Sequence, residues 1–251
     1  MDLTLLARAY GAYRNKILQT TRAKISDMIT ELDVELTEIR VGKKNHITVS
    51  IEGEDSEFVS NVLIRDYGKI PRLSDLEPGS KHSGYFLEVG KVGYGIYVDI
   101  GITNPDQMDA LIPLHKLREQ TSLRKGSLRG IAKQLVLVDN LPVDIEILSV
   151  DLTGQKIESC LHSSTINRIE NWTKDDHERL IILGSTEEMI EGALQKSGHT
   201  EDIYRIEKIG PFEYSLRCKR STRASGILTA IGPKLRGVPM HLFIPKEVEA
   251  K

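Results

Sequence analysis

Two tyrosines in the stretch VGYGIYVDIG, Tyr94 and Tyr97, have the residue type and spacing best suited to binding chemistry. The stretch alternates as a strand whose aliphatic side chains fill one face, so we expect Tyr97 and Asp99 on the opposite, outer face. Exposed aromatic rings stack on the unpaired bases of single-stranded RNA, and each stacked base contributes roughly 1–3 kcal/mol. Such rings also cover domain interfaces, and the residues alone leave both roles open.

A third aromatic residue, Phe86, is predicted to lie beside these tyrosines. In the run KHSGYFLEV, Tyr85 and Leu87 share the face that we assign to the core. Phe86 then falls on the other face, together with Gly84, because successive side chains of a strand point to opposite sides. The sequence therefore predicts that Phe86 and Tyr97 point outward from neighbouring strands.

Basic side chains form two clusters that could contact phosphate groups. One lies in the segment REQTSLRKGSLRGIAKQ, which we expect to be a long loop; its candidates are Arg124, Lys125 and Arg129. The second lies where the strand YSLRCKR runs into a helix; its candidates are Arg217, Lys219, Arg220 and Arg223. The N–H groups at a helix N-terminus attract phosphate. A solvated insertion and a charged edge strand are the alternative interpretations.

Catalytic and metal-binding patterns are missing from the sequence. The seven histidines are scattered, and there is no HExxH motif, nucleophile elbow or paired-carboxylate signature. The glycines of GKVGYG lack the lysine and serine of a phosphate-binding loop. We therefore expect a protein that is not an enzyme, with no cofactor and no metal site.

Composition limits the possible classes of protein. The 251 residues carry a formal net charge of −2, which excludes a simple polybasic nucleic-acid binder but not local basic patches. Cys160 and Cys218 form no CxxC pair, and we expect reduced thiols. No apolar run has the length of a membrane span, and the N-terminus lacks a signal-peptide pattern. These features favour a cytoplasmic protein without membrane contact.

Three blocks of elements must position these residues, and together they predict an α+β fold with a central all-β barrel. Residues 1–75 have the order β-α-β-β-α, and residues 163–251 have the order β-α-β-β-α-β of a ferredoxin-like module. We expect both flanking blocks to be ferredoxin-like. Residues 76–162 form five short strands with glycines at the bends, which predicts an OB-fold barrel.

The middle block resembles the S1-type RNA-binding domain. The resemblance rests on Gly79 and Gly84, which lie before and within the first strand, and on three later segments: YGIYV, ALIPLHKL and VDIEILSVDLTGQKIES. It covers about a third of the chain. It implies an RNA-facing surface of Tyr94, Tyr97, Asp151 and Lys156. The alternation of side chains along the first strand adds Phe86 to this surface. Two departures are Pro113, where the family often has histidine, and the long insertion before the fourth strand.

The order of elements along the whole chain also resembles an archaeal family of unassigned function. From these resemblances we expect a non-catalytic RNA-binding protein that acts in translation or RNA processing, on single-stranded or ribosomal RNA. The alternative is a protein-interaction adaptor of a ribosomal or exosome-type assembly, in which a protein partner buries the barrel aromatics.

Overall fold

The computed structural model describes residues 1–103, 106–121, 123 and 125–249. The chain has an α+β fold, in which the middle strands close a five-stranded barrel and the remaining strands form two open sheets.

The first third of the chain forms an antiparallel sheet with two helices. Its elements are β1 (Asp2–Arg8), α1 (Arg14–Met28), β2 (Glu35–Val41), β3 (His46–Glu52) and α2 (Ser56–Tyr67). The strand order is β1-β3-β2, so β3 is central. Ile47, Val49 and Ile51 of this central strand are fully buried, and they pack against the apolar faces of both helices.

The barrel occupies the middle of the chain. Its elements are β4 (Lys81–Leu87), β5 (Gly95–Asp99), β6 (Ala110–Pro113), α3 (Leu114–Gln120), α4 (Leu128–Leu135), β7 (Pro142–Asp151) and β8 (Lys156–Leu161). The strands close in the order β4-β5-β6-β8-β7, with β7 paired back to β4. All pairs are antiparallel except β6 with β8. Buried aliphatic residues at alternate positions fill the interior.

The insertion before β7 corrects a prediction, because much of it is helical rather than a loop. Ser127 caps α4 by accepting a hydrogen bond from the Gly130 N–H at 3.1 Å. Leu128, Ile131 and Leu135 are buried at helical spacing. The insertion is therefore fixed by its own apolar face.

The last third contains a four-stranded sheet. Its elements are α5 (Ser163–Lys174), β9 (Arg179–Leu183), α6 (Glu187–Ser197), β10 (Ile203–Lys208), β11 (Glu213–Cys218), α7 (Ala224–Ile231), β12 (Met240–Phe243) and α8 (Pro245–Glu249). The strand order is β10-β11-β9-β12.

Two compact units result from the packing of these elements. The first contains residues 1–70, 181–216 and 226–240. The second contains residues 71–180, 217–225 and 241–251, so it holds the barrel together with two segments from the end of the chain. The domain boundaries at residues 75/76 and 162/163 stay a prediction.

Helix α5 links the barrel to the end segments within the second unit. The Thr165 hydroxyl, near its start, accepts a hydrogen bond from the Asp144 N–H at 2.9 Å. At its other end Trp172 packs edge-on against Phe243, with ring centroids 5.5 Å apart. The Arg179 guanidinium lies 5.0 Å from the centre of the Trp172 ring. These contacts fix the segment that follows the barrel.

Candidate nucleic-acid interface

Tyr94 and Tyr97 form a pair on the outer face of the barrel. Their hydroxyl oxygens are 2.8 Å apart, and their rings meet edge to face with centroids 6.3 Å apart. Tyr94 is 56% exposed, and Tyr97 is partly exposed on β5. The Leu114 N–H donates to the Tyr94 carbonyl at 2.8 Å, which holds the backbone before β5 against the end of β6. The pair is therefore fixed in position, with the Tyr94 ring largely open to solvent.

The hydroxyl bond between the two tyrosines affects their protonation. It raises the pKa of Tyr97 above its ordinary value, and partial burial and the nearby Asp109 carboxylate act in the same direction. Tyr97 therefore stays a neutral phenol at physiological pH, and its ring adds no negative charge that would repel a nucleic acid.

Position 95, between the two tyrosines, has no room for a side chain. A Cβ atom at Gly95 would lie 2.5 Å from the Ile112 carbonyl oxygen and 2.7 Å from the Leu111 side chain. Only glycine lets β5 and β6 approach this closely, and this approach sets the position of Tyr97 opposite Leu111.

Phe86 does not belong to this face, so the prediction that it points outward is wrong. Its side chain is 0% exposed, and it pairs across the strands with the buried Val98. Gly84 explains which side chains of β4 point inward, because a Cβ atom there would lie 2.5 Å from the Asp99 carbonyl oxygen and 2.7 Å from the Val98 side chain. Gly84 and Phe86 both point inward because they are two residues apart, and Leu87 is the residue that lies opposite Tyr97.

Asp99 lies two residues after Tyr97 on β5 and so shares its side of the strand, but it is 0% exposed. Its carboxylate accepts a hydrogen bond from the Gly101 N–H at 2.9 Å, so it shapes the turn after β5. Among the residues that the structure describes, no cluster of three or more His, Cys, Asp or Glu side chains could hold a metal ion.

Asp151 and Lys156 lie opposite each other where β7 turns into β8. The Asp151 carboxylate accepts a hydrogen bond from the Gly154 N–H at 2.9 Å, so this residue builds the turn. Lys156 is exposed, and Leu152 at the tip of the turn is 62% exposed. The turn thus presents an apolar and a basic side chain to solvent.

The strand register relates this turn to the tyrosines. Tyr97 lies beside Leu111 on β6, and Leu111 lies beside Glu158 on β8. Lys156 is the next outward position on β8, so by strand spacing it is roughly 12 Å from Tyr97. The register therefore places Tyr97, Lys156 and the acid Glu158 on one face of the barrel. Sequence reasoning missed Glu158.

The basic candidates of the insertion have different surroundings. Arg129 is exposed, and its Nε donates to the Gly90 carbonyl at 3.4 Å, in the loop that leads to Tyr94. Lys125 is exposed. Arg124 lies outside the described residues. Of this cluster, Arg129 contacts the loop of the tyrosine pair.

The cluster at 217–223 is partly engaged by acids. Arg217 is half-buried and forms an ion pair with Asp175 at 3.3 Å. Arg223 pairs with Glu178 at 2.8 Å, and the same carboxylate accepts the Ala224 N–H at 2.8 Å. The helix N-terminus that we expected to attract phosphate therefore already has an anionic partner. Lys219 and Arg220 are exposed.

A buried acid in the first unit was not foreseen from the sequence. Glu213 is fully buried, and its carboxylate accepts hydrogen bonds from the Tyr10 hydroxyl at 2.9 Å and the Phe212 N–H at 3.2 Å. Burial raises the pKa of Glu213 to about 7, although these bonds and the charges of Arg8 and Lys208 oppose the shift. No sequence pattern pairs residues that are 203 positions apart.

Family models match nearly all of the chain. The DUF2110 N-terminal domain matches residues 2–73, the DUF2110 central domain residues 76–173 and the DUF2110 C-terminal domain residues 177–242. The chain belongs to the DUF2110 family. The barrel and its tyrosine pair lie in the region of the DUF2110 central domain. Comparison with curated proteins gave no match.

Three solved structures show distant similarity to this DUF2110 chain. The uncharacterized protein MJ1198 from Methanocaldococcus jannaschii is 16% identical over 36% of this chain and 96% of its own, with a TM-score of 0.25. The K3L protein from vaccinia virus is 20% identical over 34% of this chain and 88% of its own, with a TM-score of 0.24. A chain in the a/eIF2alpha-aDim2p-rRNA complex from Pyrococcus horikoshii is 13% identical over 49% of this chain and 63% of its own, with a TM-score of 0.27. Similarity at this level supports no functional conclusion.

Two further observations concern the class of protein. Cys160 and Cys218 are free thiols, as expected. In the described part of the chain, no helix has both the length and the apolar character needed to cross a membrane.

Proposed function

We propose that the protein is a non-catalytic RNA-binding protein that acts in translation or RNA processing, and that it binds single-stranded RNA on the outer face of its barrel. The observation that carries this proposal is the tyrosine pair, in which Tyr94 is 56% exposed and is held by Tyr97 in a fixed orientation. A ring that is held in place before binding loses little conformational entropy when a base stacks on it.

The barrel's connectivity supports the same location. Numbered within the barrel, the strands close in the order 1-2-3-5-4, with helices between the third and fourth strands. We infer an S1-like OB-fold from this order. OB-folds bind oligonucleotides with strands 2 and 3 and with the loops after strands 1 and 4. Tyr94, Tyr97 and the turn containing Leu152 lie at these positions.

The flanking sheets fit ferredoxin-like modules. The order β10-β11-β9-β12, with α6 and α7 between the strands, agrees with a β-α-β-β-α-β unit, and β1-β3-β2 agrees with the same unit lacking its last strand. We infer that these modules add contacts to the RNA. The free thiols fit a cytoplasmic location.

The charges around the tyrosines favour stacking as the main source of affinity. Glu158 lies on the same face, and Asp109 is close enough to raise the pKa of Tyr97. These carboxylates repel phosphates, whereas a neutral base can still stack on a ring. The surface therefore suits unpaired bases better than the phosphate-lined exterior of a duplex.

Titration of a fluorescent single-stranded RNA tests the proposal. Tyr94→Ala with Tyr97→Ala should weaken binding by about 2–6 kcal/mol if each ring stacks one base. The dependence on salt should stay nearly constant, because stacking releases few counterions. The control is Tyr94→Phe with Tyr97→Phe, which keeps both rings and should retain most of the affinity. If the double alanine variant binds the RNA with the same affinity as the parent protein, the proposal is contradicted.

A protein-interaction adaptor is the second candidate, and the exposed Leu152 favours it. This side chain is 62% exposed beside a face that also carries Glu158 and Asp151. Protein interfaces commonly surround an apolar centre with a polar, solvent-accessible rim. If the adaptor hypothesis is correct, a stoichiometric ribosomal or exosome-type protein should co-purify after ribonuclease treatment, and the alanine variant should lose it.

Absence of catalysis is part of the proposal. We expect the purified protein to leave RNA intact in the presence of Mg²⁺. Metal-dependent cleavage that disappears on substitution of Asp106 or Asp109 would contradict this expectation.

A further inference from the structure

A polar cleft in the second unit brings together cations from two separate segments of the chain. It has a volume of about 160 Å³ and lies between the turn at 219–223, the segment at 176–178 and the start of α8. Its lining includes four cations and two acids: Lys219, Arg220, Arg223, Lys246, Asp176 and Glu178. The side chains thus carry an excess of positive charge.

Hydrogen bonds and packing fix the walls of this cleft. The turn is closed by a bond from the Thr222 N–H to the Lys219 carbonyl at 2.9 Å. The Cys218 N–H donates to the Glu178 carbonyl at 3.0 Å, which joins the turn to the segment at 176–178. On the other wall, the Gln134 side-chain amide donates to the Val248 carbonyl at 2.6 Å and holds α8. Cations on fixed backbones bind an anion at a smaller entropic cost than cations on mobile loops.

Glu178 engages one of the four cations of the cleft. Its carboxylate is engaged by Arg223 and by the Ala224 N–H, so the start of α7 is satisfied within the protein. Lys219, Arg220 and Lys246 line the rest of the cleft, and Thr222 adds a hydroxyl group. The binding capacity therefore lies in the convergence of these side chains and not in the helix terminus.

The size and charge of the cleft suit one phosphate group. A volume of about 160 Å³ is large enough for a single phosphate group. Phosphate oxygens accept strong, charge-assisted hydrogen bonds from lysine and arginine.

We propose that this cleft binds one backbone phosphate of the RNA whose bases stack on the barrel. The proposal rests on the proposed function, and it adds a second contact within the same compact unit. Lys246, which sequence reasoning did not select, becomes a phosphate-binding residue. Glu178 weakens phosphate binding, because its negative charge lies in the same cleft and engages Arg223.

Salt-dependent RNA titrations with two opposite variants test the proposal. For Arg220→Ala with Lys246→Ala, loss of one phosphate contact should flatten the log–log salt slope by about 0.7. The defect relative to the parent should therefore be about 2.5-fold larger at 50 mM salt than at 200 mM salt. Glu178→Gln should bind RNA more tightly than the parent, since glutamine keeps an oxygen acceptor for the Ala224 N–H but carries no charge.

Arg22→Ala with Lys43→Ala is the matched control, because it removes the same two charge types from exposed positions of the first unit. A cleft variant with the slope of this control, or weaker binding by Glu178→Gln, overturns the proposal. If the cleft variant matches the control while the tyrosine double variant loses affinity, the cleft assignment fails and the proposed function stands.

Thermal unfolding in the presence of inorganic phosphate tests whether the ligand of the cleft is RNA or a small phosphate ester. If phosphate raises the melting temperature of the parent but not of the cleft variant, and RNA binding is the same in both, the cleft binds a small phosphate compound and the RNA assignment is wrong. If the parent binds no RNA, the proposed function and this proposal both fail.

Discussion

The exposed pair Tyr94–Tyr97 and the buried pair Tyr10–Glu213 use the same chemical group in opposite ways. In both, a tyrosine hydroxyl makes a hydrogen bond, at 2.8 Å in the first pair and 2.9 Å in the second. The first bond fixes one exposed ring beside another on the outside of a barrel. The second satisfies a fully buried carboxylate in the first unit. The comparison shows that burial and partner, rather than residue type, decide whether a tyrosine ring is open to solvent or satisfies a buried group.

Removing a buried aromatic ring should have the largest effect on stability. Phe86→Ala should lower the free energy of unfolding by about 3–5 kcal/mol, because it leaves a cavity inside the barrel. Tyr94→Ala should change it by about 0.5 kcal/mol or less, since that ring is largely exposed. Urea unfolding of both variants measures the difference. A similar loss in the two would break the distinction between an inner and an outer aromatic position.

The pH dependence of stability should report Glu213. The pKa of about 7 in the folded state lies above the ordinary glutamate value of 4.5, so the folded state holds the proton more tightly than the unfolded state. The resulting stability is complete below pH 4.5 and is lost as the pH rises through 7. Between pH 5 and pH 8 the free energy of unfolding should fall by about 2.5 kcal/mol from this group.

Glu213→Gln should remove that contribution, because glutamine does not titrate. Urea unfolding of the parent and the variant at both pH values gives the difference between their slopes. Equal slopes would show that the buried carboxyl does not titrate in this range.

Removing the tyrosine hydroxyl group from each pair in turn should change stability by different amounts. Tyr10→Phe leaves a buried carboxylate with one donor fewer and should cost about 1.5–3 kcal/mol at pH 8. Tyr94→Phe exposes no unsatisfied buried group and should change stability by about 0.5 kcal/mol or less. Thermal or urea unfolding at pH 8 compares them, and equal losses would contradict the different roles assigned to the two bonds.

The smallest expected effect concerns the carboxylate beside the tyrosines. Glu158→Gln should raise affinity for single-stranded RNA about two-fold at low salt, in line with the modest strength of surface charge interactions. The gain should disappear at high salt because exposed charges are screened. The same change at the exposed Glu35 of the first unit is the control. A gain of equal size in the control would show that only net charge matters.

Much of the barrel could be predicted from sequence, but one strand phase could not. Alternation in GIYVDIG correctly placed Ile96 and Val98 inside. In β4 the consecutive residues Tyr85, Phe86 and Leu87 are all apolar or aromatic, so alternation gives no decision. The close approach at Gly84 decides the phase, and it is visible only in three dimensions.

The basic clusters show a different limit. Arg217 and Arg223 are engaged by Asp175 and Glu178, which precede them by about 40 residues in the chain. Sequence proximity identified the cations but could not identify these acids, or Lys246 as a neighbour in the cleft. Helix α4 was also missed, although its apolar spacing after Ser127 is a helical signal that the sequence contains.

Photo-crosslinking of single-stranded RNA to the intact protein, followed by mass spectrometry of the attached peptides, tests the central claim most directly. The account predicts that the major crosslinks fall on Tyr94 or Tyr97 and that they disappear in the double alanine variant. Crosslinks that avoid the peptide containing these tyrosines, and that persist in the variant, would contradict the claim that the outer face of the barrel binds RNA.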